Sequence, residues 1–215
     1  MTSLVDRPVC KSDDREAFLR AAKAERELTE IVGGPKAYQE HKENSFQVVP
    51  ENKNAFDMVM KFQPSIHNLY LYGPCGAGKT MLARMAAIAI YGEGYKVEIL
   101  RPRELVRKVW RNDFRYEEQE LEHYSKLDVL IVDELGAGKN NEGLTAVLLE
   151  ILSRRIDSGK AGMIITSNLS LSDLALKLDD NRIPSRIREV FKDIYMTGPG
   201  GKDWRKIKNP RGGAK

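Results

Sequence analysis

Long apolar runs and secretory features are both lacking in this sequence. The most apolar long stretch, residues 81–91, is interrupted by Arg84 and falls short of the roughly 20 residues that a membrane-spanning helix needs. The first residues become charged before any apolar segment begins, so no secretory signal is recognisable. We therefore expect a cytoplasmic protein without membrane contact.

Cysteine and histidine are also scarce. Cys10 and Cys75 lie far apart, which fits thiols in a reducing compartment better than a disulfide framework. The three histidines are scattered, and no metal-ligand spacing is present. A zinc module and a disulfide-stapled domain are thereby excluded, and a chain of 215 residues with 41% hydrophobic content is consistent with one main domain.

The small positive net charge of +4 is concentrated in two segments. Residues 101–115 contain six basic and two acidic side chains, and the tail from Pro199 contains six basic and one acidic. The remainder of the chain is therefore slightly acidic. Clustering of this kind points to anionic partners more strongly than the net charge does.

A single helix is predicted near the N-terminus, over residues 13–32. Asp13 and Glu16 have the spacing of a capping box, and a glycine pair followed by Pro35 ends the pattern. The apolar stripe of this helix is too thin to build a core. We expect the helix to dock on the main domain or on another protein.

Short apolar runs alternate with helical patterns from Leu69 onward. This alternation is typical of βαβ units around a mostly parallel sheet, and strands that are apolar on both faces require helices on both sides. We predict strands at 69–72, 96–100, 128–132, 162–167 and 192–196, and helices at 79–91, 103–111, 114–124, 143–157, 171–178 and 184–190.

A glycine-rich loop between the first of these strands and its helix indicates a nucleotide site. GPCGAGKT matches G-x-x-x-x-G-K-[ST] in the strand-to-helix context that this motif needs. Its backbone N–H groups can surround a polyphosphate, Lys79 adds a positive charge at the β and γ oxygens, and Thr80 offers a hydroxyl to Mg²⁺. The predicted ATP-binding residues of this segment are Gly73, Pro74, Cys75, Gly76, Ala77, Gly78, Lys79, Thr80 and Met81.

Polar residues at the ends of two further strands complete the predicted site. Asp133 follows a buried strand at the edge where open α/β sheets bind ligands, so it is a second partner of ATP and Mg²⁺, acting partly through water. Glu134 is placed to deprotonate the attacking water. Asn168 could hold that water or the γ-phosphate. Alternatively, Asn168 or Ser170 caps the helix that starts near Leu171.

Two arginines are spaced four residues apart on one predicted helix face, Arg182 and Arg186. A guanidinium group can stabilise the charge of a transferring phosphoryl group, in the same subunit or from a neighbour. Spacing alone leaves a second interpretation open, in which these arginines form surface ion pairs with Asp179 or Glu189.

The order of GPCGAGKT, LDVLIVDELG, IITSNLS, NRIPSRI and GKDWR resembles the DnaC-like branch of the AAA+ ATPases, which contains helicase loaders and IstB-like transposition ATPases. The resemblance covers about 46–205. It implies an α/β P-loop NTPase of the AAA+ type, a three-layer sandwich around a mostly parallel five-stranded sheet. It also implies a sensor-1 role for Asn168 and an arginine-finger role for Arg186, with Arg182 as the neighbour to test. Only 19 residues follow Met196, so we expect no C-terminal helical lid.

A basic stripe is the candidate nucleic-acid surface. Its arginines are four residues apart, at Arg103, Arg107, Arg111 and Arg115, with aromatic residues between them. On one continuous helix they would hold phosphates while the rings stack on bases, which suits single-stranded DNA. The acidic run at 117–122 could neutralise the stripe, and a plain solvated helix face is the alternative.

These features predict a helical docking segment at 1–45, an ATPase domain at 46–198 and a basic tail at 199–215. The resemblance implies an ATP-dependent oligomer that hydrolyses ATP to ADP and phosphate and loads a replicative hexameric helicase onto single-stranded DNA. A transposition helper with the same ATPase site is the first alternative. A small-molecule P-loop kinase and a binding module with a degenerate nucleotide site are the others.

Overall fold

The computed structural model describes residues 12–36, 38–39, 46–110, 114–138, 142–204 and 207. Within those ranges the strands are β1 (Asn68–Tyr72), β2 (Val97–Leu100), β3 (Val129–Leu135), β4 (Met163–Ser167) and β5 (Lys192–Tyr195). The α-helices are α1 (Ser12–Ile31), α2 (Pro50–Met60), α3 (Lys79–Gly92), α4 (Pro102–Val109), α5 (Phe114–Lys126), α6 (Glu142–Asp157), α7 (Leu171–Leu178) and α8 (Arg182–Val190). A 3₁₀ turn at Pro199–Gly201 follows β5.

The five strands form one fully parallel sheet in the order β2-β3-β4-β1-β5. Tyr72 at the end of β1 is level with Ser167 of β4 and Tyr195 of β5. The register between β3 and β4 shifts between Val132 and Leu135, where the chain carries its two adjacent carboxylates. Because all strands point the same way, their C-terminal ends meet at one edge of the sheet. This confirms the predicted α/β sandwich.

The sheet is buried on both faces, which explains why its strands are continuously apolar. Along β3, Val129 and Ile131 pack with helices α2 and α3, whereas Leu130 and Val132 pack with α4 to α8. Side chains alternate between faces along a strand, so both sets must be apolar when helices cover both sides. The result is a three-layer sandwich with the helices α1, α2 and α3 on one side.

Several predicted boundaries differ from the structure. Helix α2 was not predicted, although Pro50 occupies its first turn, where proline is favoured. Asn52 caps this helix: the Val49 N–H donates to Asn52 Oδ1 at 2.9 Å. Strand β3 continues through Asp133 and Glu134 instead of ending before them. Helix α8 starts at Arg182 rather than at 184. Pro184 is tolerated in its first turn, since the N–H that proline lacks would have no partner within the helix there.

The N-terminal helix docks on the main domain. Ile31 packs into the core on the α3 side of the sheet, and Val32 is 1% exposed. The Tyr91 hydroxyl on α3 donates to the Glu27 carboxylate on α1, and this bond raises the pKa of Tyr91. Of the two predicted docking partners, the structure therefore shows the main domain. Among the residues described, no helix combines the length and the apolar character that crossing a bilayer would require.

Arg155 holds the outer end of α6 against two neighbouring segments. Its side chain is 1% exposed, and its guanidinium donates to the carbonyl oxygens of Tyr124 (3.0 Å) in the last turn of α5, Leu127 (2.8 Å) just after α5 and Gly162 (3.3 Å) before β4. Burial lowers its pKa to about 10. A buried charge surrounded by carbonyl dipoles fixes where α5 and β4 meet, at the edge opposite the phosphate loop.

Candidate functional site

The phosphate loop joins the end of β1 to the start of α3. Gly73, Gly76 and Gly78 have φ values of 146°, 75° and 93°, in the region that favours glycine. A Cβ atom on Gly73 would lie 2.0 Å from the carbonyl oxygen of Met196, and one on Gly78 would lie 3.1 Å from the Phe46 ring. The loop can therefore keep its turn only with glycine at these positions.

Lys79 lies inside the loop. Its side chain is 7% exposed, and its Nζ donates to the carbonyl oxygens of Gly73 at 2.7 Å and Pro74 at 2.8 Å. These two contacts hold the ammonium group over the hollow formed by the loop backbone. The positive charge is thus in place where a polyphosphate would lie.

Thr80, Asp133 and Thr166 form a hydrogen-bonded cluster at the sheet edge. The hydroxyls of Thr80 and Thr166 both donate to Asp133 Oδ1, at 2.9 Å and 2.6 Å. The Glu134 N–H donates to the Thr166 hydroxyl at 2.9 Å. Asp133 is 3% exposed and Thr166 is fully buried, so the cluster is rigid as well as polar. The predicted residues Thr80 and Asp133 are brought together, and Thr166 is a site residue that sequence reasoning missed.

Glu134 adopts an unusual backbone conformation. Its φ is 64°, which is uncommon for a residue with a side chain and recurs at functional sites. Its carboxylate lies 3.6 Å from the Arg101 guanidinium, with both side chains about half exposed. The left-handed turn projects the carboxylate away from the buried strand and towards solvent beside Asp133. The arrangement places a second carboxylate next to the cluster that Thr166 holds.

Asn168 follows β4 and is exposed at the same sheet edge. The next residue is fixed by Tyr70, whose buried hydroxyl donates to the Leu169 carbonyl at 2.8 Å; burial raises the pKa of Tyr70 to about 12. The helix cap is Ser170, whose hydroxyl accepts from the Asp173 N–H at 3.1 Å. Ser170 therefore does the capping, and Asn168 stays a predicted water-holding residue.

The two candidate finger arginines lie on α8, on the opposite side of the sheet from α3. The Arg182 guanidinium contacts Asp180 at 2.7 Å, and Arg186 Nη1 lies 3.3 Å from Glu189 Oε2. Both arginines line a groove of about 440 Å³ between α6 and α8, together with Leu149. In this single chain Arg186 forms the surface ion pair named as the alternative, and its finger role stays a prediction.

A basic cavity of about 300 Å³ opens beside Asp133. Lys36, Arg84 and Arg101 supply positive charge to its wall, with Glu104 among them. These basic residues come from three separate segments, so no sequence motif marks them. The cavity extends the positive environment of the phosphate loop towards the N-terminal helix.

The basic stripe is divided between two helices. Arg103 and Arg107 are exposed on α4, which ends at Val109, and Arg115 lies in the first turn of α5. The arginines therefore do not share one continuous helix, in agreement with the separate helices predicted at 103–111 and 114–124. Helix α4 ends where Trp110 leaves helical geometry and its ring packs on Gly143. Arg111 lies outside the described residues.

In the part of the chain that the structure describes, glutamates of the acidic run at 117–122 pair with groups other than the exposed arginines of α4. Glu118 pairs with Arg154 at 2.7 Å, and Glu122 pairs with Lys126. The Trp110 ring nitrogen donates to Glu117 Oε1 at 3.2 Å, which joins the end of α4 to α5. Tyr116 is 52% exposed on the same helix pair. The surface thus keeps basic and aromatic groups side by side.

The residues present fit ATP and Mg²⁺. The Thr80 hydroxyl and the Asp133 carboxylate are hard oxygen donors of the kind that Mg²⁺ prefers, and they already share one hydrogen bond. The loop glycines give the tight turn that brings backbone N–H groups around a phosphate. The site therefore matches a nucleoside triphosphate in both charge and shape.

Comparison with known proteins finds ATP-binding relatives. The model of the IstB-like ATP binding protein family matches residues 18–190. An insertion sequence ATP-binding protein of Sinorhizobium fredii is 33% identical over 103 residues, 47% of this chain and 34% of that protein. The replicative helicase loader DnaC of Escherichia coli K12 is 28% identical over 154 residues, 68% of this chain and 63% of that protein. The chain thus spans from about a third to under two thirds of these relatives.

A solved structure supports the fold. AMPPCP-bound DnaA from Aquifex aeolicus superposes with a TM-score of 0.65 and 20% identity, over 77% of this chain and 52% of that one. The two chains therefore share the fold of this α/β domain.

Proposed function

Because the chain belongs to the IstB-like ATP-binding protein family, we propose that it is an ATP-hydrolysing, oligomeric switch that loads a replicative helicase onto DNA. The observation that carries the ATPase part is the cluster in which Thr80 and Thr166 both bond Asp133, beside the buried Lys79. The relationship to DnaC carries the choice of client.

In this proposal the phosphate loop binds the triphosphate and Lys79 turns from the loop carbonyls to the phosphate oxygens. Thr80 and Asp133 would hold Mg²⁺, which would supply positive charge against the negative phosphate oxygens. Glu134 accepts the proton of the attacking water, and Asn168 orients that water. Thr166 keeps Asp133 and Glu134 at a fixed separation, since its hydroxyl bonds the side chain of one and the backbone of the other.

The finger is supplied by a second copy of the chain. Arg186 lies on α8, across the sheet from α3, and its present partner is an exposed glutamate that a stronger anion can replace. A guanidinium group inserted from a neighbour would stabilise the phosphoryl charge in the transition state. Hydrolysis then requires assembly, which makes the protein a switch.

Single-stranded DNA binds at the surface formed by α4 and the start of α5. Arg103 and Arg107 supply phosphate contacts, while Trp110 and Tyr116 offer ring faces to bases. Helix α4 begins directly after Arg101, and the Arg101 guanidinium contacts the Glu134 carboxylate. Arg101 therefore connects the proposed DNA surface to the proposed base. This connection offers a route from DNA binding to ATP turnover.

A replicative helicase is the proposed client because DnaC aligns over 68% of this chain, against 47% for the Sinorhizobium protein. A transposition helper is the second candidate, favoured by the family that matches and by the higher local identity of the insertion-sequence relative. The two differ in the partner and share the ATPase site.

Lys79→Ala and Glu134→Gln test the ATPase part. Lys79→Ala should abolish ATP binding in calorimetry, whereas Glu134→Gln should bind ATP and lose turnover, since only the base is removed. Equal loss of binding in both would contradict the division of roles. Mixing Lys79→Ala with Arg186→Ala should restore hydrolysis if the finger acts between copies, because a mixed interface joins an intact loop to an intact arginine.

Co-purification from the native host tests the client. A hexameric helicase retained in ATP, and lost with Lys79→Ala, supports the loader. Retention of a transposase instead supports the second candidate. A helicase bound equally well by wild type and by Lys79→Ala would contradict an ATP-dependent switch.

A further inference from the structure

The chain returns from its C-terminal side to the phosphate loop. We call residues 199–204 the strap. The Trp204 N–H donates to the Gly76 carbonyl at 3.2 Å. A Cβ atom built on Gly76 would lie only 1.8 Å from Asp203 Oδ1, so the carboxylate occupies the space where a side chain of the loop would otherwise be. A negative charge is therefore seated on the loop whose backbone is shaped for anions.

The strap is also held at its base. The Gly200 N–H donates to Glu51 Oε1 on α2 at 2.7 Å, and this bond lowers the pKa of Glu51. A Cβ atom on Gly198 would lie 2.1 Å from the Lys202 carbonyl oxygen and 3.2 Å from the Trp204 ring. The segment is thus a compact turn with one anchor on α2 and one on the phosphate loop.

Nucleotide phosphates and the Asp203 carboxylate have the same sign of charge and face the same loop. Two like charges a few ångströms apart repel strongly where protein lowers the dielectric constant. The strap and a bound triphosphate therefore oppose each other, and either one weakens the hold of the other.

We propose that the strap is a nucleotide-sensitive gate, closed on the phosphate loop through Asp203 and released from it when ATP binds. The release changes the surroundings of Trp204, so the position of the strap reports the nucleotide state to any partner that touches this face. The proposal rests on the ATP site proposed above, and it adds a competitor for that site within the chain.

Asp203→Asn tests the gate, because it removes the charge and keeps the shape. We expect ATP to bind about tenfold more tightly than to wild type in calorimetry at low salt, as removal of one nearby like charge implies. The gain should shrink as added salt screens the repulsion. Glu51→Ala, which frees the base of the strap, should tighten binding by a smaller factor.

A matched control removes a carboxylate of the same type elsewhere. Asp157 is exposed at the end of α6, at the sheet edge opposite the loop. Asp157→Asn changes the net charge by the same amount, so it should leave ATP affinity unchanged. Any general effect of net charge would appear in this variant as well.

A second readout follows the strap itself. The chain has two tryptophans, so Trp110→Phe leaves Trp204 as the single reporter. Acrylamide should quench its fluorescence more strongly after ATP is added, since the strap that carries Trp204 leaves the loop and becomes more exposed. This measurement needs no hydrolysis.

The outcomes separate the gate from the ATP site. If Asp203→Asn binds ATP as wild type does or more weakly, or if ATP makes Trp204 less quenchable, the strap assists the nucleotide and the gate is refuted. If neither wild type nor Asp203→Asn binds ATP, the ATP site fails and the gate fails with it. Binding by Asp203→Asn alone would support both.

Discussion

Thr166→Val removes one hydroxyl from the centre of the site and leaves a side chain of almost the same volume. Thr166 is fully buried and bonds both Asp133 and the Glu134 N–H. A hydrogen bond to a charged group contributes about 1.5–3 kcal/mol, and Asp133 retains the bond from Thr80. We therefore expect a loss of about 2 kcal/mol of unfolding free energy, or roughly 4–8 °C in melting temperature for a chain of this size.

The effect on turnover should exceed the effect on stability. Without the hydroxyl, Asp133 can rotate and the Glu134 backbone loses the contact that supports its left-handed turn. A displacement of about 1 Å at reacting groups can cost on the order of 100-fold in rate. Phosphate release should therefore fall by roughly 10- to 100-fold, while the dissociation constant of ATP changes little, because the phosphate loop is untouched.

Thr166→Ser is the matched control. It keeps the hydroxyl and loses one buried methyl group, which costs about 1 kcal/mol. This variant should melt at a lower temperature than wild type and yet hydrolyse ATP at a similar rate. If Thr166→Val hydrolyses ATP as fast as Thr166→Ser, the hydroxyl does not position the catalytic groups and the reasoning is refuted.

Three further substitutions test other parts of the structure. Arg155→Met should lower the unfolding free energy by about 3 kcal/mol or more in denaturant titration, because it strands several buried carbonyl oxygens; a change below about 1 kcal/mol would contradict this. Arg107→Ala should flatten the log-log salt dependence of single-stranded DNA binding by roughly 0.7, and the control Arg188→Ala, on α8, should not. In the absence of DNA, Arg101→Ala should raise the rate of ATP hydrolysis several-fold, because it releases the Glu134 carboxylate. An unchanged rate would show that this ion pair does not restrain Glu134.

Much of the candidate site could be predicted because its parts are local in the chain. Lys79 and Thr80 follow from a loop motif between a strand and a helix, and Asp133 follows from the end of an apolar strand. The parallel sheet then brings these residues to one edge, where Thr80 bonds Asp133. Such positions are set by the order of elements and need no knowledge of side-chain packing.

Other predictions failed where packing outweighed a local pattern. The helix predicted at 103–111 ends earlier, at Val109, because Trp110 leaves helical geometry and its ring packs on Gly143. Helix α2 was missed because its apolar face is short, although Pro50 marked its start. The end of α4 is thus decided by a contact that is distant in sequence.

The amino-acid sequence by itself determined the parallel sandwich, the phosphate loop and the acidic strand end, because each depends on the period of apolar residues or on spacing within about ten positions. Only the tertiary structure decided the role of Thr166, the contact of Arg101 with Glu134 and the return of Asp203 to Gly76. These contacts join residues that are 32 to 127 positions apart, and no local rule of backbone or side chain relates such distant positions. The close packing of the sandwich brings them together.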